Sequence, residues 1–453
     1  MLRRLASEEQ GVALVLALLA MFVLSGLTAA ALTVTALNHR NAKVSADSNH
    51  AFALAEQGVA YAEGRLYSAA TSGEPVLVPQ TTFSQDGGTV TYVGTLSGST
   101  WTLTGTGVYG GVTRNVSVQA DVPPPYTVSD PTIWNYLYAD SHTATCAAAF
   151  NGNVSITVPL YSQGNLCFDG NVKYKGADLE VGGNLSMIGA VSIGAKTAPI
   201  SKMNVHGACS VSPCDGAHDP VWVAGGVGTT LDPQLTMPAI DLASAYATQM
   251  AATTTGCPSN FFDNDTQLND SLGSANLFPS GTSYDCFVGS NELKWDGHGG
   301  LTVNGVFLFD GNLSLSGSVD VVYSGSGTIY FDGTMATSGN VSICGVTGSA
   351  DGKTCTANWN PNTNGLILAA GCANASGACV DWEGNTYLQI GTYATGAFTE
   401  GGNVVDMGPV IADTLDLNGN TGVMLPFHTL PPGAPTDTKT VTPPPGPPTN
   451  WSG

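Results

Sequence analysis

Acidic side chains at turn-like positions are the first candidates for chemistry: Asp169, Asp178, Glu180, Asp310, Asp320, Asp332, Asp381 and Glu383. Two carboxylates held close together can divide acid and base roles in cleaving a glycosidic bond. A lyase would add a basic group beside them, yet Lys and Arg are sparse in this region. Acids at the turns of an acidic chain otherwise read as solvated corners. A second set of oxygen ligands, Asp263, Asp265, Gln267 and Asn269, has part of a calcium-loop pattern, but Leu268 replaces its glycine and Ser274 its closing glutamate. His298, in TrpAspGlyHisGlyGly, reads as a turn residue. There is no GlyxSerxGly elbow, phosphate loop or HisGluxxHis helix, and nothing calls for a cofactor.

All ten cysteines follow the first hundred residues, and none forms a Cys-x-x-Cys pair, so zinc and thioredoxin-type spacings are missing. An even count suits disulfides in an exported protein. Pairing of neighbours would join Cys146 with Cys167, Cys209 with Cys214, Cys257 with Cys286, Cys344 with Cys355, and Cys372 with Cys379. Connectivity is open at this level.

The elements that must carry these residues begin with Gly11 to Leu37, which holds no charged side chain. As a helix it is ~40 Å long, enough for a hydrocarbon core of ~30 Å. Arg3 and Arg4 precede it, so the positive-inside preference keeps the first ten residues in the cytoplasm and exports the rest. A cleaved secretory signal ending at Ala29 to Ala31 and a plain signal anchor are the competing readings. Beyond it the pattern stays helical: Phe52, Ala55, Val59, Ala62 and Leu66 recur on one face, and no proline intervenes before Pro75. The expectation is one helix of about 60 residues and ~90 Å, half in lipid and half amphipathic.

A short leader ending in Gly11, an apolar half-helix and the AlaPheAlaLeuAlaGluGlnGlyValAlaTyrAlaGluGlyArgLeu stretch (51 to 66) together resemble the N-terminal domain of PilX-type minor pilins, over residues 8 to 70. The resemblance implies cleavage by a prepilin peptidase after Gly11, leaving Val12 as the mature N-terminus. It also implies packing of Leu14, Leu16, Leu18, Phe22 and Leu24 against other pilin helices. The usual pilin has a glutamate at the fifth mature position, which neutralises a neighbour's amino terminus; here that position is Leu16. A buried unpaired ammonium is costly, so the departure favours a tip subunit over one repeated along a fibre.

Residues 74 to 122 change period to alternating β-branched or aromatic and polar residues. ProValLeuValPro, ThrValThrTyrValGly, ThrTrpThrLeuThrGly and ThrArgAsnValSerValGlnAlaAsp predict four strands of an antiparallel headgroup sheet covering the helix. A Pro linker follows (123 to 131). From 132 to 430, Gly-Asn dipeptides at Gly152, Gly164, Gly170, Gly183, Gly311, Gly339, Gly384, Gly402 and Gly419 separate runs too short to bury an apolar face alone. Stacked as coils they share a core, so the prediction is a right-handed parallel β-helix (solenoid) of about ten coils, with a Gly-rich β-sandwich as the alternative. Asp241 is expected to cap a helix carrying Ile240, Ala243, Ala247 and Met250 near one face. Residues 431 to 453, rich in proline, read as an extended disordered tail.

The fold class is therefore mainly β: a leader (1 to 11), a pilin-like helix (12 to 73, membrane part 12 to 37), a β headgroup (74 to 122), the linker, the solenoid and the tail. With 13 Lys plus Arg against 34 Asp plus Glu, net charge −21, nucleic acid is a poor partner. The expected function is a non-enzymatic minor pilin or pseudopilin at the cell surface, docked in a type IV pilus or secretion pseudopilus and displaying its head for assembly initiation or adhesion. Its partners would be other pilin subunits, the prepilin peptidase, the inner or cytoplasmic membrane and surface carbohydrate. The alternative is a membrane-anchored or secreted carbohydrate-active β-helix enzyme, a polysaccharide lyase or hydrolase.

Overall fold

The computed structural model describes residues 2–72, 77–121, 126–262, 267–268, 273–345, 355, 359–373, 375–406, 408–421, 427, 429–441, 446 and 448–452. The candidate calcium ligands Asp263 and Asp265 lie outside them. The chain divides into two units, residues 1–128 with 439–453, and residues 129–438.

The first unit is built on α1, Leu2–Ser72, which runs unbroken back through the expected leader. Its C-terminal half is covered by an antiparallel sheet of β1 (Thr81–Gln85), β2 (Gly88–Ser97), β3 (Thr100–Tyr109) and β4 (Val112–Asp121). The described part of ProValLeuValPro, Leu77 to Pro79, does not lie in the first strand. That strand begins at Thr81 and turns into β2 through Asp86 and Gly87, both with positive φ, as a tight hairpin requires. Val78 is nevertheless buried, and its carbonyl accepts from Gly94 at 3.0 Å.

The covered face of α1 is Ala51, Leu54, Ala55, Gly58, Val59, Ala62 and Leu66. Phe52, expected on this face, is 38% exposed. Size explains the difference. Gly105 and Gly107 of β3 bring strand backbone directly against the helix, and a Cβ at either would run into the carbonyls of Ala55 and Ala51. Small residues line that approach, while Leu54 is buried at its margin and Leu66 joins one core cluster with Trp101 and Leu103. The expected disordered tail also differs: Thr449–Ser452 adds a fifth strand beside β4. Tyr126–Asp130, within the expected linker, pairs with Asp437–Val441. Thr and Val between Pro435 and Pro443, and ThrAsnTrpSer after Pro448, suit an edge strand.

The second unit is a parallel β-solenoid of about 12 turns. Its coils do not stack in chain order. Strand Leu137–Ala139 pairs with Leu160–Ser162, then Asp178–Val181, Lys202–Val205 and Val227–Gly228, running outward in one direction. The chain then starts again at the opposite end with Gly300–Phe309 and winds inward through Leu313–Phe331, Gly365–Ala370 and Gly391–Asp406 to Val410–Thr421. That last strand pairs with the first coil, Ile411 opposite Tyr138 and Leu415 opposite Ala148. First and last coils thus meet at a seam in the middle. The far end is closed by antiparallel strands Tyr284–Val288 and Asn291–Trp295 on Gly300–Phe309.

Crossing between ends falls to a strap, residues 231–250, laid over outward-facing side chains that would otherwise be wet. The Leu235 amide donates to the Tyr161 hydroxyl (3.3 Å), and the Tyr393 hydroxyl donates to the Pro238 carbonyl. The strap ends in α2, Leu242–Met250, capped by Asp241, whose carboxylate accepts from the Ser244 amide at 3.1 Å. This helix buries Tyr246 and Gln249 rather than Ala243. The Gln249 amide pairs with both backbone groups of Leu308 (2.6 and 2.8 Å). The 429–437 segment lies alongside: Tyr330 donates to Gly433, Trp134 to Pro435 (2.6 Å), and Thr236 to Asp437 (2.6 Å).

Candidate functional site

Two surfaces could do work. The first is the N-terminal half of α1. From Val12 through Leu37 every residue is exposed, including the five expected packing residues Leu14, Leu16, Leu18, Phe22 and Leu24. The most apolar window of this helix has a mean hydropathy of 2.5 and none of it buried. Its few hydroxyls are satisfied within the helix: Ser25 donates to Met21 (2.8 Å), Thr33 to Ala29 (2.7 Å) and Thr35 to Ala31 (2.8 Å). Thr28 likewise donates to Leu24. Such a segment can enter hydrocarbon or pack on apolar helices without stranding a polar group. It fits a single-pass membrane anchor.

The second surface is the solenoid wall. Its Gly-Asn dipeptides sort into two structural roles. Gly170, Gly152, Gly419, Gly402, Gly384 and Gly339, with Gly189 and Gly317 in register although Ala190 and Ser318 follow them, form one row across adjacent coils, all with positive φ. The strand bends there, and a Cβ at Gly170 would stand 2.9 Å from the Gly152 carbonyl. The asparagines beside them face out and bond coil to coil: Asn171 to Asn153 (2.9 Å), Asn385 to Asn340 (3.0 Å) and Asn403 to Asn385 (3.1 Å). At a second corner, the Asn165, Asn184 and Asn312 side chains instead accept backbone N–H groups of the next coil, from Asn184 (2.8 Å), Ala208 (2.8 Å) and Thr334 (2.7 Å).

The acidic candidates are dispersed among several environments. Glu180 is fully buried under the strap, bonded to Lys202 (2.9 Å), Asn204 (2.9 Å) and the Asp232 amide (3.2 Å). Burial raises its pKa against those partners. Asp178 accepts from Tyr136 (2.9 Å), and the buried Asp332 accepts from the Gly311 amide (2.6 Å). Asp310 is buried at another corner. Asp381 is bonded by Thr399, Asp320 by Ser342 (2.8 Å), while Asp169 and Glu383 are exposed. His298 sits in a turn organised by Asp296, which accepts from the amides of His298 (2.7 Å) and Gly300 (2.9 Å) and is held below the usual carboxylate range by them.

Two features escaped the sequence. Glu400 is 1% exposed inside the coil wall, between Trp382 and Leu417 in register; alternation from buried Phe398 would have placed it there. At the seam, Asp413 follows the Ile411 and Ala412 pairing with Tyr138 and Ala139, which sets it beside Asp140. Burial and that neighbouring carboxylate raise its pKa. The disulfides join Cys146 to Cys167, Cys209 to Cys214, Cys257 to Cys286, Cys344 to Cys355 and Cys372 to Cys379, leaving no free cysteine among the described residues.

No family model matches this sequence, and no curated protein does. A solved pilin is among the structures this chain matches. The competence-associated pilin ComZ from Thermus thermophilus matches over 90% of this chain and 97% of its own, at 13% identity and a TM-score of 0.39. At that level the functional reading stands on the residues of this chain.

Proposed function

We propose that this protein is a minor pilin or pseudopilin. The uncovered half of α1 inserts among the helices of other pilin subunits after passage through the cytoplasmic membrane, with the head outside. The observation that carries this is a single helix with two fates: its C-terminal half is sealed by its own sheet, while Val12 to Leu37 is apolar, internally satisfied and wholly exposed. Leu16 at the fifth mature position leaves a neighbour's amino terminus without a carboxylate, which favours a place at the tip, where a large solenoid also leaves subunit stacking clear. The prepilin peptidase would cut after Gly11. The dispersal of the acidic residues favours a binding head over a glycosidase or lyase.

Mass spectrometry of the N-terminal peptide of the protein recovered from cells tests this reading. A start at Val12 is expected, and Gly11→Val abolishes it. A start near Ala31 or Leu32 would remove the anchor and return the chain to the secreted-enzyme alternative.

A further inference from the structure

Two rows of side chains run across the coils on either side of a shallow cleft. Register places Ser318, Asn340, Asn385 and Asn403 in one row, and Asp320, Ser342, Tyr387 and Val405 in the other. Between them lies a cleft of about 300 Å³ lined by Ser318, Asp320, Asn340, Ser342, Asn385 and Tyr387. Its chemistry is mixed in a particular way. Tyr387 is half-buried and lines the cleft, so it supplies an aromatic side chain there with few rotatable bonds to order. Beside it stand two amides held in line by the Asn385 to Asn340 bond (3.0 Å). Across the strand, the exposed Asp320 carboxylate is anchored by the Ser342 hydroxyl (2.8 Å), which leaves its other oxygen to accept.

We infer that this cleft binds a neutral glycan lying along the solenoid axis. A sugar ring has an apolar face that stacks on an aromatic side chain and a rim of hydroxyls that both donate and accept. Amides supply both functions, and a carboxylate accepts from adjacent hydroxyls. Successive coils stand ~4.8 Å apart, and the Asn340, Asn385 and Asn403 row carries amides on along the axis from the single ring and carboxylate of the cleft. Polyanions are disfavoured by a protein of net charge −21 and by Asp320 itself. The site deepens the reading of the solenoid as a displayed binding head, and it rests on that reading.

The test uses the full-length protein in detergent, presented with neutral oligosaccharides of glucose and of N-acetylglucosamine, and with heparin as the anionic comparison. The wild type is expected to bind a neutral oligosaccharide. Tyr387→Ala should weaken that binding about tenfold, Tyr387→Phe should retain it, and Asp320→Ala, whose thermal melting is recorded because the buried Ser342 hydroxyl loses its acceptor, should weaken it too. Thr302→Ala, in a different cleft, should leave it unchanged. No binding of either neutral series, a preference for heparin, or equal binding by Tyr387→Ala and Asp320→Ala would overturn the inference. Incorporation of the same variants into surface filaments separates the two claims, since a chain that assembles but binds no glycan removes this site and leaves the pilin reading standing.

Discussion

The two halves of α1 form one uninterrupted helix, but the covered half meets strand backbone through small side chains at its closest contact. Leu14, Leu18, Phe22 and Leu24 stand exposed, while Ala51, Ala55, Gly58 and Ala62 are buried against strand backbone. The chain covers the half that its own sheet approaches closely and leaves Val12 to Leu37 exposed. On the proposed function, the close backbone approach at Gly105 and Gly107 distinguishes the self-packed half from the half offered to other helices.

The strongest way to break the covered half is to enlarge the contact. Gly107→Val drives side-chain atoms into the Ala51 carbonyl and should cost about 3 kcal/mol or more, read as loss of protease resistance in residues 77–121 while the solenoid persists. Next, Leu54→Ala should destabilise the first unit by about 3 kcal/mol, whereas Phe52→Ala, on the exposed side of the same turn, should cost less than about 1 kcal/mol; chemical denaturation of the two variants side by side measures the difference. The close-approach rule extends to the solenoid, where Gly419→Ala places a methyl group against the Gly402 carbonyl at a backbone φ of +119°. A loss of about 2 kcal/mol is expected there, with hydrogen exchange rising first in Val410–Thr421 and Ala148–Ile156.

The smallest effect concerns charge at the seam. The pKa of Asp413 is raised by burial and by Asp140, so the native state binds a proton more readily than the unfolded chain. Stability should therefore rise as pH falls through the folded value toward the ordinary aspartate range, and fall as pH rises again. Asp413→Asn should stabilise the solenoid at neutral pH and flatten that slope, as thermal melting across mildly acidic pH would report.

Much of this was legible in sequence, for local reasons. The charge-free run from Gly11, the AspGlyGly hairpin turn, the cap at Asp241 and the Gly-Asn corners each carry their signal within a few residues. Phe52 was misplaced because helical spacing registers apolar character and is blind to the glycines of β3 that forbid a large ring. The strap was missed because Leu235 and Pro238 act through backbone groups that meet Tyr161 and Tyr393, residues distant in the chain. The order of the coils has no local signature at all. Nothing near Ile411 says that its partner is Tyr138, and only long-range pairing decides it. The cleft at Tyr387 is hidden for the same reason, since Asp320, Ser342 and Tyr387 become neighbours only through register.

The central claim is that the uncovered half of α1 is an assembly surface for other pilin helices. Shearing filaments from cells and assaying the sheared fraction for this protein, wild type against Leu18→Asp, tests it most directly. The account predicts that wild-type protein leaves with the filaments and that the variant stays behind. Wild-type protein found wholly in the membrane fraction, or in the medium apart from filaments, would contradict it.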